Sequence, residues 1–195
     1  MAYSITSSDD ECYPGTTVLI NKLGLQNQEA LDAAETVAVA LHSAEIESDL
    51  LDIPLTFDFY CELHQRLFGD LYEWAGKLRM IDFSKQGTVF YPASCLQELG
   101  EAKFSRLSRM NGFMGLAFPQ LLDELTDFYH ELNMLHPFRE GNGRTQRLFF
   151  TLLLRRIGYS ISFAECDTDS LMVATIYAAQ GVTSYLRTFF EQLLS

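Results

Sequence analysis

The run His136-Pro137-Phe138-Arg139-Glu140-Gly141-Asn142-Gly143-Arg144-Thr145-Gln146-Arg147 gathers the groups that phosphate chemistry needs. Gly141 and Gly143 reach backbone conformations closed to other residues and let a ligand approach closely. They stand before a helical stretch, whose first N–H groups and positive dipole end receive anions. Arg144 and Arg147, three apart, share one face of the first turn and can reach one phosphate chain. Asn142 adds an amide. Glu140 is a hard oxygen ligand suited to a Mg²⁺ that keeps most of its waters and bridges phosphates. The His136 imidazole titrates near neutrality and can take a proton from an attacking hydroxyl. Together these groups point to nucleotide transfer.

The elements that must position this run are mostly helical. With Asn27 as N-cap, Leu31, Ala34, Ala38 and Leu41 are expected along one helical face. A second helix is expected from about Thr56 through Leu63, Leu67 and Leu71 to Trp74, ending near Gly76, and a third from Ser94 with Leu96, Leu99 and Phe104. Pro119 suits the first position of a fourth, with Leu121, Leu125, Phe128, Leu132 and Leu135 inward. Leu148 to Leu154 is apolar on nearly every side, which predicts a central helix covered all round. Two more helices fit Asp167–Gln180 and Thr183–Leu194, broken at Gly181. Strand character is confined to 80–83 and 88–91, joined by Ser84-Lys85-Gln86-Gly87 as a hairpin. The expected fold is all-α with one small β-hairpin.

The 195 residues contain no repeat, low-complexity run or long linker, so a single domain is expected. The net charge of −12 disfavours nucleic acid and anionic membrane as partners. No apolar run reaches the roughly 20 residues of a membrane span, and the polar, acidic start is unlike a secretory signal. Cys12, Cys61, Cys95 and Cys166 are widely spaced, which suits reduced thiols and a cytoplasmic location. Against this acidic background Arg139, Arg144, Arg147, Arg155 and Arg156 cluster, as an anion site requires; Arg155 and Arg156, further along the helix, read as structural. His64 and His130 lack zinc-ligand spacing and read as packing residues.

The motif matches the Fic signature, His-x-Phe-x-Asp/Glu-Gly-Asn-Gly-Arg-x-x-Arg, at every specified position. Leu63-His64, Leu67-Phe68 and Tyr72-Glu73-Trp74-Ala75-Gly76 resemble the helix and turn that precede the active-site hairpin in that family. Tyr13-Pro14-Gly15 resembles the start of its short, stand-alone bacterial members. The resemblance implies a single Fic domain over 1–195, with its core at approximately 56–160, and a protein adenylyltransferase moving AMP from ATP, with Mg²⁺, onto a Ser, Thr or Tyr hydroxyl. It makes His136 the general base and Glu140 the metal ligand. Gly141, Asn142, Gly143, Arg144 and Arg147 become nucleotide-binding, and Phe138 a loop anchor. Phe83, Lys85, Gly87, Thr88 and Val89 become a flap that aligns the target. Ser43 and Glu47 have the spacing of the family's inhibitory motif, but Ser48 stands where Gly or Asn belongs; Arg187 spoils the same pattern before Glu191. The resemblance therefore implies a separate small antitoxin and a toxin-like role. The alternatives are another donor, a Doc-like kinase, disfavoured by Gly143 and Arg147, or a non-catalytic binding module.

Overall fold

The computed structural model describes residues 4–5, 11–49, 52–85, 87–161, 163 and 166–194. In chain order it contains β1 (Ser4–Ile5), α1 (Gln28–Asp49), α2 (Phe57–Phe68), β2 (Phe83–Lys85), β3 (Thr88–Val89), α3 (Leu96–Arg109), α4 (Phe118–Leu135), α5 (Asn142–Arg156), α6 (Thr168–Ala179) and α7 (Ser184–Leu194). The helices enclose α5, where Leu148, Phe149, Phe150, Leu152, Leu153 and Leu154 are all buried. A helix buried all round needs packing partners on every side, and α1, α2 and α4 supply them. Phe149 sits edge-on to Tyr60 and Phe104, and Phe150 packs against Phe128 and Tyr129.

Most helix boundaries follow from local chemistry. Asn27 caps α1, its Oδ1 accepting from the Ala30 N–H at 3.0 Å, and Thr56 caps α2 in the same way through Phe59. Pro119 lies in the first turn of α4, and Gly181 separates α6 from α7. Three expectations need correction. Leu41 is 56% exposed, and Glu35 and Ile46 face inward with Leu31. At 3.6 residues per turn, Leu41 lies roughly 80° round from Leu31, outside the buried stripe.

The second helix stops at Phe68 rather than Trp74, with Gly69 as its C-cap, and in the turn beyond it Tyr72 donates a hydrogen bond to Glu35. Leu71 and Trp74 keep helical spacing in sequence but pack from a turn. The hairpin connection is shorter than the expected Ser84–Gly87, of which Gln86 lies outside the described residues. Gly87 takes φ +82°, and Ser84 and Lys85 belong to β2, opposite Val89 and Thr88. Residues 80–82 and 90–91 lie outside the ladder, since the Tyr91 N–H is given to Met134 on α4 and Arg79 takes the Ile81 and Tyr91 carbonyls. A strand not expected from the sequence, β1, pairs with β2 at Ile5↔Phe83 and Ser4↔Ser84, giving the order β1-β2-β3. Cys12, Cys61 and Cys95 form no disulfide, and no described helix is long and apolar enough to cross a membrane.

Gly100 of α3 faces Phe57, and an added Cβ would lie 2.4 Å from its ring. Helix propensity alone favours Gly100→Ala by about 1 kcal/mol, whereas overpacking a core costs about 1–3 kcal/mol. The expected outcome is net destabilisation, read as a lower urea midpoint at unchanged m-value.

Candidate active site

The motif forms the link between α4 and α5, and its backbone is held from several directions. His136 ends α4 in the left-handed conformation (φ 41°, ψ 59°), a region few non-glycine residues enter without outside support. The buried Arg79 supplies that support. Its Nε donates to the His136 carbonyl at 2.8 Å, its Nη1 to Ile81 at 2.6 Å and its Nη2 to Tyr91. The Arg79 N–H adds a bond to the Pro137 carbonyl at 2.8 Å. One side chain thus ties the motif to both ends of the hairpin. No motif contained it, and an arginine between two turns gave no sequence signal.

Further along, Phe138 is fully buried, stacked on His64 with ring centroids 3.9 Å apart. The Asn142 side chain accepts from the Phe138 N–H at 2.9 Å and donates to the Phe138 carbonyl at 2.7 Å. Its amide oxygen and one amide N–H are therefore engaged in closing the loop. Gly141 takes φ +79°, and a Cβ there would lie 2.5 Å from the Phe68 ring. Only glycine fits. His64 is more than packing. The Gly76 N–H donates to its Nδ1 at 2.8 Å, so Nε2 carries the proton and donates to the Glu140 carbonyl at 2.9 Å. Burial lowers the His64 pKa to about 4, against the pull of that carbonyl.

These constraints surround a cleft of about 410 Å³ lined by His136, Glu140, the α5 N-terminus, Arg144, Arg147, the hairpin and α6. His136 lies face to face with Phe90, centroids 3.9 Å apart. Burial, then the nearby Lys85 and Arg79 charges, push its pKa down to about 3, while the Asn133 carbonyl works against them. The ring is neutral at pH 7. The Gly141 N–H and Arg144 Nη2 both reach Glu140 Oε1, at 2.9 and 3.5 Å, while Oε2 accepts no hydrogen bond among the described residues. The first N–H groups of α5, at Asn142, Gly143 and Arg144, have no intrahelical partner by position and open on the cleft.

Of the five clustered arginines, only Arg144 and Arg147 line this cleft. Arg139 is buried against Glu11, Arg155 donates to the Glu47 carbonyl, and Arg156 joins Asp52 and Asn111. In the hairpin, Lys85 closes β2 rather than forming the tip, and it lines the cleft with Thr88. Gly87 and Val89 are exposed, and Phe83 pairs through its backbone with Ile5. Sequence reading missed the α6 wall of exposed Thr168 and Asp169 and half-buried Met172, Thr175 and Ile176, because such residues on a short helix look like ordinary surface and packing positions.

A model of the Fic/DOC family matches residues 54–154. The probable protein adenylyltransferase Fic of Salmonella typhimurium is 33% identical over 187 residues, 96% of this chain and 92% of that one. The protein adenylyltransferase VbhT of Bartonella schoenbuchensis is 31% identical over 97% of this chain, which spans 40% of VbhT. The N-terminal Fic domain of a Bartonella effector protein from Bartonella sp. AR 15-3 superposes with a TM-score of 0.89 at 25% identity, covering 94% of this chain and 90% of that one.

The neutral His64 ring makes a signed prediction. Its depressed pKa contributes stability that is complete above pH 6.5 and lost as pH falls towards about 4. Wild-type protein should lose about 3 kcal/mol relative to His64→Asn between pH 7 and pH 4, read from parallel urea titrations. Curves that stay parallel would assign His64 no such role.

Proposed function

This chain belongs to the Fic/DOC family, and we propose that its cleft transfers AMP from ATP to a Ser, Thr or Tyr hydroxyl of a target protein. The observation that carries the reading is the meeting of a neutral, buried imidazole, one carboxylate and two arginines at the N-terminus of α5. The family match and the α-helices on either side of it form one catalytic unit over 1–195.

The triphosphate lies against the N–H groups of Asn142, Gly143 and Arg144, where the helix dipole and preorganised donors favour negative charge. Arg144 and Arg147 balance the remaining charge. Phe138 keeps the loop anchored. The donor set fits Mg²⁺. Glu140 offers one carboxylate oxygen without a protein hydrogen bond, and this ion commonly takes one or two carboxylates and fills its shell with phosphate and water. When bound, the ion neutralises charge on the departing pyrophosphate.

The target hydroxyl gives its proton to the His136 imidazole as its oxygen attacks the α-phosphorus. The bond from that phosphorus to the bridging oxygen breaks, and pyrophosphate leaves. With a pKa of about 3, the free ring is ready to accept a proton but is a weak base. A polyanion in the cleft favours the imidazolium and raises that pKa, so the base strengthens when substrate is present. The flap presents the target: β1 covers one edge of β2, leaving the outer edge of β3 at Thr88–Val89 for an extended segment. Lys85 and Thr88 lie on its inner face. Dependence on ATP makes the cytoplasm the working compartment.

Among the described residues no carboxylate pairs with Arg147. Glu47 is engaged through its carbonyl by Arg155, and Glu191 lies beside Arg187. The resemblance to stand-alone toxin-like members supports restraint by a separate small protein, with this chain as the toxin of a pair. Expressed alone it should slow growth, and co-expression of the adjacent reading frame should relieve this and yield a complex. No complex and no relief would count against restraint in trans.

The decisive assay gives the protein Mg²⁺, a bacterial lysate and ATP labelled at either the α or the γ phosphate. Label should reach protein only from the α position, and His136→Ala should lower transfer by about 10²–10⁴-fold. Label from the γ position alone would mean a kinase. Label from neither, with no Mg-ATP binding, would favour a non-catalytic module.

A further inference from the structure

Glu35 lies on α1, outside the residues matched by the family model. Its carboxylate is nearly buried, with a side-chain exposure of 9%. A buried carboxylate costs several kcal/mol unless charge and hydrogen bonds compensate. Here Arg144 and Tyr72 supply them. Arg144 Nη1 lies 2.5 Å from Oε2, and the Tyr72 hydroxyl donates to Oε1. Burial and the neighbouring Glu35 push the Tyr72 pKa well up, so the phenol remains a donor.

The same guanidinium is held elsewhere too. Its carbon sits 4.8 Å from the centroid of the Phe68 ring, and Nη2 makes a long, 3.5 Å contact with Glu140 Oε1. One edge and one face are therefore fixed, while the second edge is loosely held at the cleft.

We propose that Glu35 is a positioning residue for nucleotide transfer. It pins Nη1 of Arg144 so that Nη2, lent to Glu140 in the free enzyme, is presented to a nucleotide phosphate. The inference rests on the cleft being the nucleotide site. A phosphate oxygen needs only to outcompete a 3.5 Å contact to take Nη2, whereas Nη1 stays with its buried partner. An unpinned arginine would have to be ordered on every binding event, at a cost in rotamer entropy. Tyr72 holds the carboxylate in register, which gives the turn after α2 a part in the site.

A purely structural ion pair and a positioning pair differ in what they change. The full chain would be compared as wild type, Glu35→Gln, Tyr72→Phe, Arg144→Ala and the Glu35→Gln/Arg144→Ala double variant. Glu35→Gln keeps the shape and an acceptor for Tyr72 but removes the charge. The readouts are the thermal midpoint, the affinity for Mg-AMPPNP by calorimetry, and kcat and KM for transfer of the α-label. Glu35→Gln should weaken AMPPNP binding and lower kcat each by about tenfold, and the double variant should be no worse than Arg144→Ala alone. Tyr72→Phe should move both readouts the same way by a smaller factor, and it serves if Glu35→Gln does not fold. Unchanged affinity and kcat with a lowered thermal midpoint, or additive losses in the double variant, would overturn the proposal. A wild type that binds Mg-AMPPNP but transfers no α-label would sink the transferase reading, while the binding cycle would still decide whether Glu35 and Arg144 are coupled.

Discussion

Arg79 donates from one buried guanidinium to the carbonyls of His136, Ile81 and Tyr91. A charged group in that position is tolerable only when its donors are satisfied, so the three segments cannot drift apart without exposing an uncompensated cation. The His136 backbone is held in a strained left-handed turn by the same contacts that root the flap. The proposed base and the surface that would present a target are thus tied to each other through Arg79.

Around that constraint the loop is stiffened without any regular structure of its own. Asn142 closes it through both groups of its amide, Phe138 fills a slot between Tyr60 and His64, and Glu11 pairs with Arg139 from the N-terminal segment. His64 carries its proton on Nε2 because the Gly76 N–H occupies Nδ1, and that proton fixes the carbonyl of Glu140. Such prior ordering lowers what must be organised when reactants meet.

Charge is managed in the same local way. The chain carries a net charge of −12, yet the proposed function asks its cleft to receive a polyanion. Glu11 neutralises Arg139 away from the cleft, and Glu35 holds one edge of Arg144, orienting that cation at some expense of its attraction for phosphate. The helix N-terminus and Arg147 carry the remainder. The neutrality of His136 follows from burial among positive neighbours, which keeps the ring ready as an acceptor while the cleft stays positive enough for a nucleotide.

The sequence by itself determined the helices whose apolar spacing and caps are local, the buried character of α5, and the phosphate motif. Those properties depend on residues within a few positions of one another, and they carried the family resemblance as well. Tertiary structure decided what depends on distant partners. Tyr72 in the turn after α2 meets Glu35 on α1, Asn142 turned its amide inward, and three of five clustered arginines proved to be bound elsewhere. Glu35, Arg79 and the α6 wall gave no signal along the chain, since a buried charge looks like any solvated one until its partner, up to 109 residues away, is in place.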